Sequence, residues 1–131
     1  MNDRVPIEDL INRGKKRGNL AKQLYVIFTK PAAGMSSISE NLAAHLKFQN
    51  QLEHDGIMFA AGPTWTDDEL GWEGEGMVVI RAESLEKARE IANRDPMHSS
   101  GARTFTIRPW LVNEGMLTIQ VGFSAGRFEL V

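Results

Sequence analysis

His45 and Gln49 are the side chains most able to do chemistry in this chain, because they interrupt a stripe that otherwise reads as packing. Ile38, Leu42, Leu46 and Leu52 recur at helical spacing through residues 38–55, and both polar residues fall inside that stripe. At ~100° per residue the four aliphatic positions cluster within about a third of a turn, with Gln49 near its middle and His45 about 40° away. Burying an imidazole or an amide costs free energy unless each finds a partner. An imidazole with a carboxylate close by is suited to moving a proton near neutral pH. His45 also has a plain structural reading, a core histidine that donates to a main-chain carbonyl.

A second candidate for the site is Asp95, which precedes Pro96. Aspartate followed by proline is the ordinary cap and first residue of a helical turn, so capping alone explains the dipeptide, and the two roles are compatible. His98 follows on that turn, where it either lines the mouth of a pocket or faces solvent. His54 ends the first main helix, where a cationic ring meets the helix dipole favourably. Gly62-Pro63 ends a strand or forms a rigid pocket wall that lets a ligand approach the backbone. Trp65 and Trp72 sit in an acidic, glycine-rich segment, residues 64–76, too long for a plain connection; they form an apolar lid or pack the loop on itself.

Several function classes are disfavoured. A formal charge of -2 over 131 residues supplies no basic face for nucleic acid, and Lys15-Lys16-Arg17 is a short solvated run. The chain has no cysteine, hence no disulfide framework and no thiolate nucleophile. Its acids lack the spacing of a calcium loop, no paired helix histidines suggest a metal, and no glycine-rich phosphate loop follows a strand. The start of the chain does not read as a secretory signal and the longest apolar runs are strand-length, so a cytoplasmic protein without a membrane segment is expected.

These residues must be positioned by a single domain. Residues 5–17 form an amphipathic helix weakened by Gly14 and Gly18. Residues 23–30 form a strand; a loop, 31–37, leads to a helix capped by Ser39 and closed by Gly56. Residues 57–61 form a strand stopped by Gly62-Pro63, and 77–82 a third. Ser84 caps a second helix bearing Leu85, Ala88, Ile91 and Ala92; residues 102–110 form a fourth strand. Alternation from Leu117 to Leu130 around Ser124-Ala125-Gly126 reads as a hairpin within residues 115–131. The doubled strand-helix-strand order predicts an α+β, ferredoxin-like βαββαβ antiparallel sheet with both helices on one face. LYVIF and MVVI are apolar on both sides of the pleat, so the other face needs a cover; a second copy of the chain in a homodimer supplies one, with the C-terminal hairpin covering part of it or reaching across to the partner as the alternative.

Together these pieces resemble the YciI-like family, proteins with a YCII-related domain in the dimeric α+β barrel superfamily. The resemblance rests on Ala43-Ala44-His45-Leu46, Ala61-Gly62-Pro63, the strand at 77–82 followed by Ser84-Leu85-Glu86-Lys87-Ala88, Asp95-Pro96 and Arg108-Pro109-Trp110. It covers residues 24–110, within a core taken as 23–112; the helix at 5–17 and the hairpin lie outside it. It implies a ferredoxin-like homodimer whose two sheets pack into a barrel, an active site on His45 and Asp95, and no metal or organic cofactor. Some members resemble dehydrochlorinases of aromatic-ring degradation. Family members often carry arginine three residues before the histidine, where this chain has Leu42; if that arginine binds an anionic substrate group, this chain either uses another cation, Arg94 or Arg103, or handles a different substrate.

The expected function is therefore cofactor-independent acid/base chemistry, whether elimination, isomerisation or hydrolysis, on a small organic ligand held between the sheet and its first helix. His45 and Asp95 would be catalytic, and Gln49, Gly62, Pro63, Trp65 and His98 would contact substrate. The alternatives are a non-catalytic homodimer that binds a metabolite or a protein, and an interaction protein acting through the hairpin from Met116 to Val131.

Overall fold

The structure is a computed structural model and describes residues 3–131. Its elements are α1 (Ile7–Lys16), β1 (Lys22–Pro31), α2 (Gly34–His54), β2 (Met58–Pro63), β3 (Gly76–Ile80), α3 (Leu85–Arg94), α4 (Pro96–Ser99), β4 (Arg103–Val112), β5 (Ile119–Gly122) and β6 (Arg127–Leu130). They group into two compact units, residues 23–110 and the two chain ends up to 22 and from 111. Among the described residues no helix is long and apolar enough to cross a membrane.

In the larger unit the strands run in the order β2-β3-β1-β4, the ferredoxin-like arrangement, with β3 antiparallel to both β1 and β2. Strand side chains alternate, so cross-strand partners share a face. Ile27 opposite Val78 and Tyr25 opposite Ile80 form one face, and Leu52 of α2 packs there with Ala88, Ile91 and Ala92 of α3. Both helices therefore cover the same side, as the doubled order requires. Val26 opposite Val79 and Phe28 opposite Met77 form the other.

Local sequence explains the helix ends. Ser84 caps α3 by accepting from the Lys87 N–H at 3.1 Å. Gly56, at φ 73°, ends α2: its N–H reaches the Glu53 carbonyl and the Ile57 N–H reaches that of Leu52, two bonds that satisfy open carbonyls. The start of α2 departs from expectation. The helix begins at Gly34 with Ala33 as its cap, and Ser39 lies inside it, donating from Oγ to the Met35 carbonyl at 3.1 Å. Inside a helix a serine hydroxyl finds a partner by bonding back to the carbonyl four residues earlier, although serine favours a cap. Nor does Gly62-Pro63 stop β2; the strand runs through both, Gly62 opposite Met77 and Pro63 opposite Gly76. β2 is an edge strand, where the missing proline N–H need not break the ladder.

The smaller unit holds α1 and the antiparallel hairpin β5–β6, with Ile119 opposite Leu130 and Val121 opposite Phe128. Gly14, a poor helix residue, is buried in α1; a Cβ there would stand 3.1 Å from Asn113 Oδ1, a tight contact that the Asn113 side chain would have to yield to. The residues of both hairpin strands are exposed.

The segment between β2 and β3 is folded rather than slack. Thr64 and Thr66 donate their N–H groups to the carbonyls of Glu75 and Gly71, and the Trp72 indole donates to the Glu75 carbonyl at 2.7 Å. Gly74 anchors it. This residue sits at φ 90°, and a Cβ there would lie 2.6 Å from Pro31 Cγ and 2.7 Å from Ile38 Cδ1. Gly74→Ala should cost about 1–3 kcal/mol from overpacking and about 1–2 kcal/mol more from the left-handed backbone. Denaturant titration checks this; a midpoint equal to that of the wild type would show that Gly74 does not fix the loop.

Candidate functional site

The placement of the central histidine follows from the chain's periodicity. The buried residues of α2 are Ile38, His45 and Leu52, seven apart and so on one line along the helix. Leu42 and Leu46 are 40% and 48% exposed and border a cavity instead of entering the core. The single apolar stripe of the sequence is thus two adjacent stripes, one holding the helix down and one lining a space beside it.

Asp95 is placed by its neighbour. A residue before proline is driven away from helical ψ, and Asp95 adopts φ -63°, ψ 126°, which ends α3 and starts α4. Its Oδ1 accepts the Met97 N–H at 2.9 Å, the expected cap. The same carboxylate meets His45: Nδ1 lies 2.8 Å from Oδ1 and 2.9 Å from Oδ2, with both residues buried. An ionised carboxylate only accepts, so Nδ1 carries the proton and donates it. Nε2 is then the uncommitted nitrogen; it enters none of the protein's hydrogen bonds among the described residues, and His45 borders the cavity.

That cavity, of about 190 Å³, lies between α2, the sheet and the segment before β3. Gln49, Gly62 and Pro63 line it with His45. Trp65 does not: it is 62% exposed and lies away from the cavity, which takes Trp72 as its aromatic wall. The hydrogen bond from the indole to Glu75 turns Trp72 rather than Trp65 inward, and nothing in the local sequence distinguishes the two tryptophans.

His98 is neither at the pocket mouth nor in solvent. Its Nδ1–H donates to the Ala92 carbonyl at 2.7 Å, and Nε2 accepts from Thr29 Oγ1 at 2.9 Å. Its ring packs on Phe105 with centroids 4.4 Å apart. Thr29 itself lines the cavity, so His98 supports the wall from behind. The sequence did carry a signal for Thr29: it continues the inward face of β1 two residues after Ile27, a hydroxyl where an aliphatic residue would otherwise pack.

Of the two arginines proposed for the missing cation, Arg94 is exposed and outside the cavity, whereas Arg103, at the start of β4, is 6% exposed and lines it. Its Nε has no hydrogen-bond partner, and its guanidinium carbon lies 5.9 Å from the Trp72 ring centre. Burial pulls the Arg103 basicity down from its ordinary value, and the Asp95 carboxylate partly restores it.

Burial likewise lowers the pKa of His98 below its ordinary 6.5, against the upward pull of the Ala92 carbonyl and Asp95; His45 and Arg103 add to the lowering. The unfolded chain therefore binds a proton below pH 6.5 that the folded chain refuses. The stability His98 contributes is complete above pH 6.5 and drains as the pH falls through the window beneath it. Between pH 6.5 and 5 the melting temperature of His98→Gln should fall less steeply than that of the wild type; parallel curves would mean that His98 accepts its proton freely in the folded state.

Comparison with known proteins agrees with this architecture. The uncharacterised protein YjpA of Bacillus subtilis strain 168 is 37% identical over 71 residues, 54% of this chain and 76% of that protein. Among solved structures, 5-chloro-2-hydroxyhydroquinone dehydrochlorinase (TftG) from Burkholderia phenoliruptrix AC1100, in complex with 2,5-dihydroxybenzoquinone, shares the fold. Its TM-score is 0.55 at 24% identity, covering 66% of this chain and 92% of that one. The YCII-related domain family matches residues 23–111, which include the sheet, both of its main helices and the His45–Asp95 pair. By that match, the chain belongs to the YCII-related domain family.

Proposed function

We propose that this protein is an enzyme that moves a proton on a small, single-ring organic compound without a cofactor, with His45 as the acid/base. The observation that carries the reading is the pairing of His45 Nδ1 with Asp95, which leaves Nε2 as the free nitrogen of a ring bordering a cavity. With the proton fixed on Nδ1, Nε2 presents its lone pair to a substrate C–H or O–H. When Nε2 takes that proton, the charge that forms on the ring lies against the Asp95 carboxylate, which stabilises it. Asp95 also fixes the plane of the ring, and Gln49 is positioned to hydrogen-bond a substrate oxygen or a water.

Size supports a compact substrate. A cavity of about 150 Å³ holds benzene, and this one is about 190 Å³. The structural neighbour is named for loss of HCl from a hydroxylated ring and was solved with a hydroxylated quinone, which makes elimination the first reaction class to test here. The working unit of this reading is a homodimer. Phe28, Met77 and Trp110 are 47%, 38% and 42% exposed beside one shallow depression that Val26 also lines, an apolar surface that a second copy would cover.

The test is turnover of 5-chloro-2-hydroxyhydroquinone and a panel of enolisable single-ring compounds, followed by chloride release and by exchange of carbon-bound hydrogen in D₂O. His45→Gln keeps a donor for Asp95 and should slow turnover by about 10²–10⁴ while the fold persists. Unchanged turnover in that variant removes His45 from the chemistry; no turnover across the panel leaves a binding module. Sedimentation equilibrium should give twice the chain mass of 14.6 kDa, and a monomer would rule out the barrel.

A further inference from the structure

The buried polar and charged side chains among the described residues are Thr29, His45, Asp95 and Arg103. Three of them are partnered: Thr29 bonds His98, and His45 and Asp95 bond each other. Arg103 is the exception. Ion pairs join His45 to Asp95, His54 to Asp55 and Lys87 to Glu90, and among the described residues none includes Arg103. Asp95 is already engaged, since its carboxylate receives the imidazole N–H and the Met97 N–H. Glu75 borders the same cavity but forms no ion pair with the guanidinium. The Trp72 face attracts a cation but accepts none of its N–H groups as an oxygen would.

A guanidinium this little exposed, with its Nε buried and unbonded, is costly, and it stays charged at any ordinary pH. Folding tolerates that cost where a ligand supplies the missing acceptor. The planar fork of arginine matches two oxygens of a carboxylate, or one ionised ring oxygen, in a way a lone ammonium does not. The rest of the wall is apolar, with Leu42, Leu46, Pro63 and the Trp72 ring around the space. Such a wall accepts a flat hydrocarbon ring and discriminates only where the charge sits.

We infer that Arg103 is an oxyanion subsite, and that the ligand of this cavity is a compact single-ring anion whose carboxylate or phenolate pairs with the guanidinium while its ring lies between Trp72 and the leucines of α2. This rests on the reading of the cavity as a substrate site and specifies its substrate class. In such a complex the anion fixes the ring and His45 Nε2 is left to act on another of its atoms. The acid/base group and the anchoring group are then different residues on different elements.

Calorimetric titration with two matched pairs tests this: benzoate against benzamide for a carboxylate, and 4-nitrophenolate against 4-nitroanisole for a phenolate. The wild type should bind the anion of at least one pair tenfold or more tightly than its neutral partner. Arg103→Met should lose that preference, keep its affinity for the neutral compound, and melt no lower than the wild type without ligand, because it removes an unpaired buried charge. A merely structural arginine would lower the melting temperature and leave the preference intact. His45→Gln should keep the preference even where turnover is lost, which separates failure of the anchor from failure of the chemistry. The inference is overturned if neither anion is preferred by the wild type, binding of neither included, or if Arg103→Met still prefers the anion. Should Arg103→Met not fold, the wild-type comparison decides together with Arg103→Gln, which should lose the preference.

Discussion

The carboxylate of Asp95 is the point at which local and long-range structure meet. It ends α3, caps α4 through the Met97 N–H and receives both contacts from His45, a residue fifty positions away in the chain. Buried ionic hydrogen bonds of this kind hold geometry more than they add stability, since desolvation offsets much of their attraction. Leaving either partner unbonded is worse, at about 1–3 kcal/mol for a buried polar group and more for the charged carboxylate. The pair therefore fixes where α2 stands against the α3–α4 junction, and with it the side of the helix that looks onto the cavity.

Around that tie the unit separates packing from ligand contact. One line along α2, Ile38 and Leu52 on either side of His45, closes the core, while the adjacent line of Leu42, Leu46 and Gln49 borders the open space. The sheet does the same. Ile27 and Ile80 sit in the core under the helices, and Thr29, continuing the face of Ile27, reaches the cavity with His98 bonded behind it. Gly74 lets the segment before β3 lie against Pro31 and Ile38, which brings Trp72 and Glu75 to the remaining wall. The cation in this wall comes from β4 through Arg103, while Leu42 leaves the helix side of the cavity apolar.

Much of this was legible before any coordinates. The strand-helix-strand order repeated twice predicts the ferredoxin-like sheet, observed as β2-β3-β1-β4, and LYVIF and MVVI mark strands apolar on both faces. Ser84, Gly56 and Asp95-Pro96 act as their types and neighbours dictate, because capping is decided within a few residues. Ser39 misled for the same reason: serine bonds well both at a cap and inside a helix, and the choice fell to the turn of chain before it. Histidine in a polar turn gave no way to foresee that His98 would spend both nitrogens on Thr29 and Ala92.

The sequence by itself determined what depends on short stretches of chain: element type and order, the caps at Ser84, Gly56 and Asp95, and the presence of an imidazole where a helix turns inward. Only the tertiary structure decided which distant groups meet. It chose Trp72 over Trp65, Arg103 over Arg94, and a supporting place for His98 over a ligand contact. Those choices turn on through-space distance and burial, set when α2, the segment before β3 and β4 converge, and no spacing along one chain encodes them. Charge and desolvation act at the point of convergence, which is why the site was legible as a list of residue types before it was legible as a place.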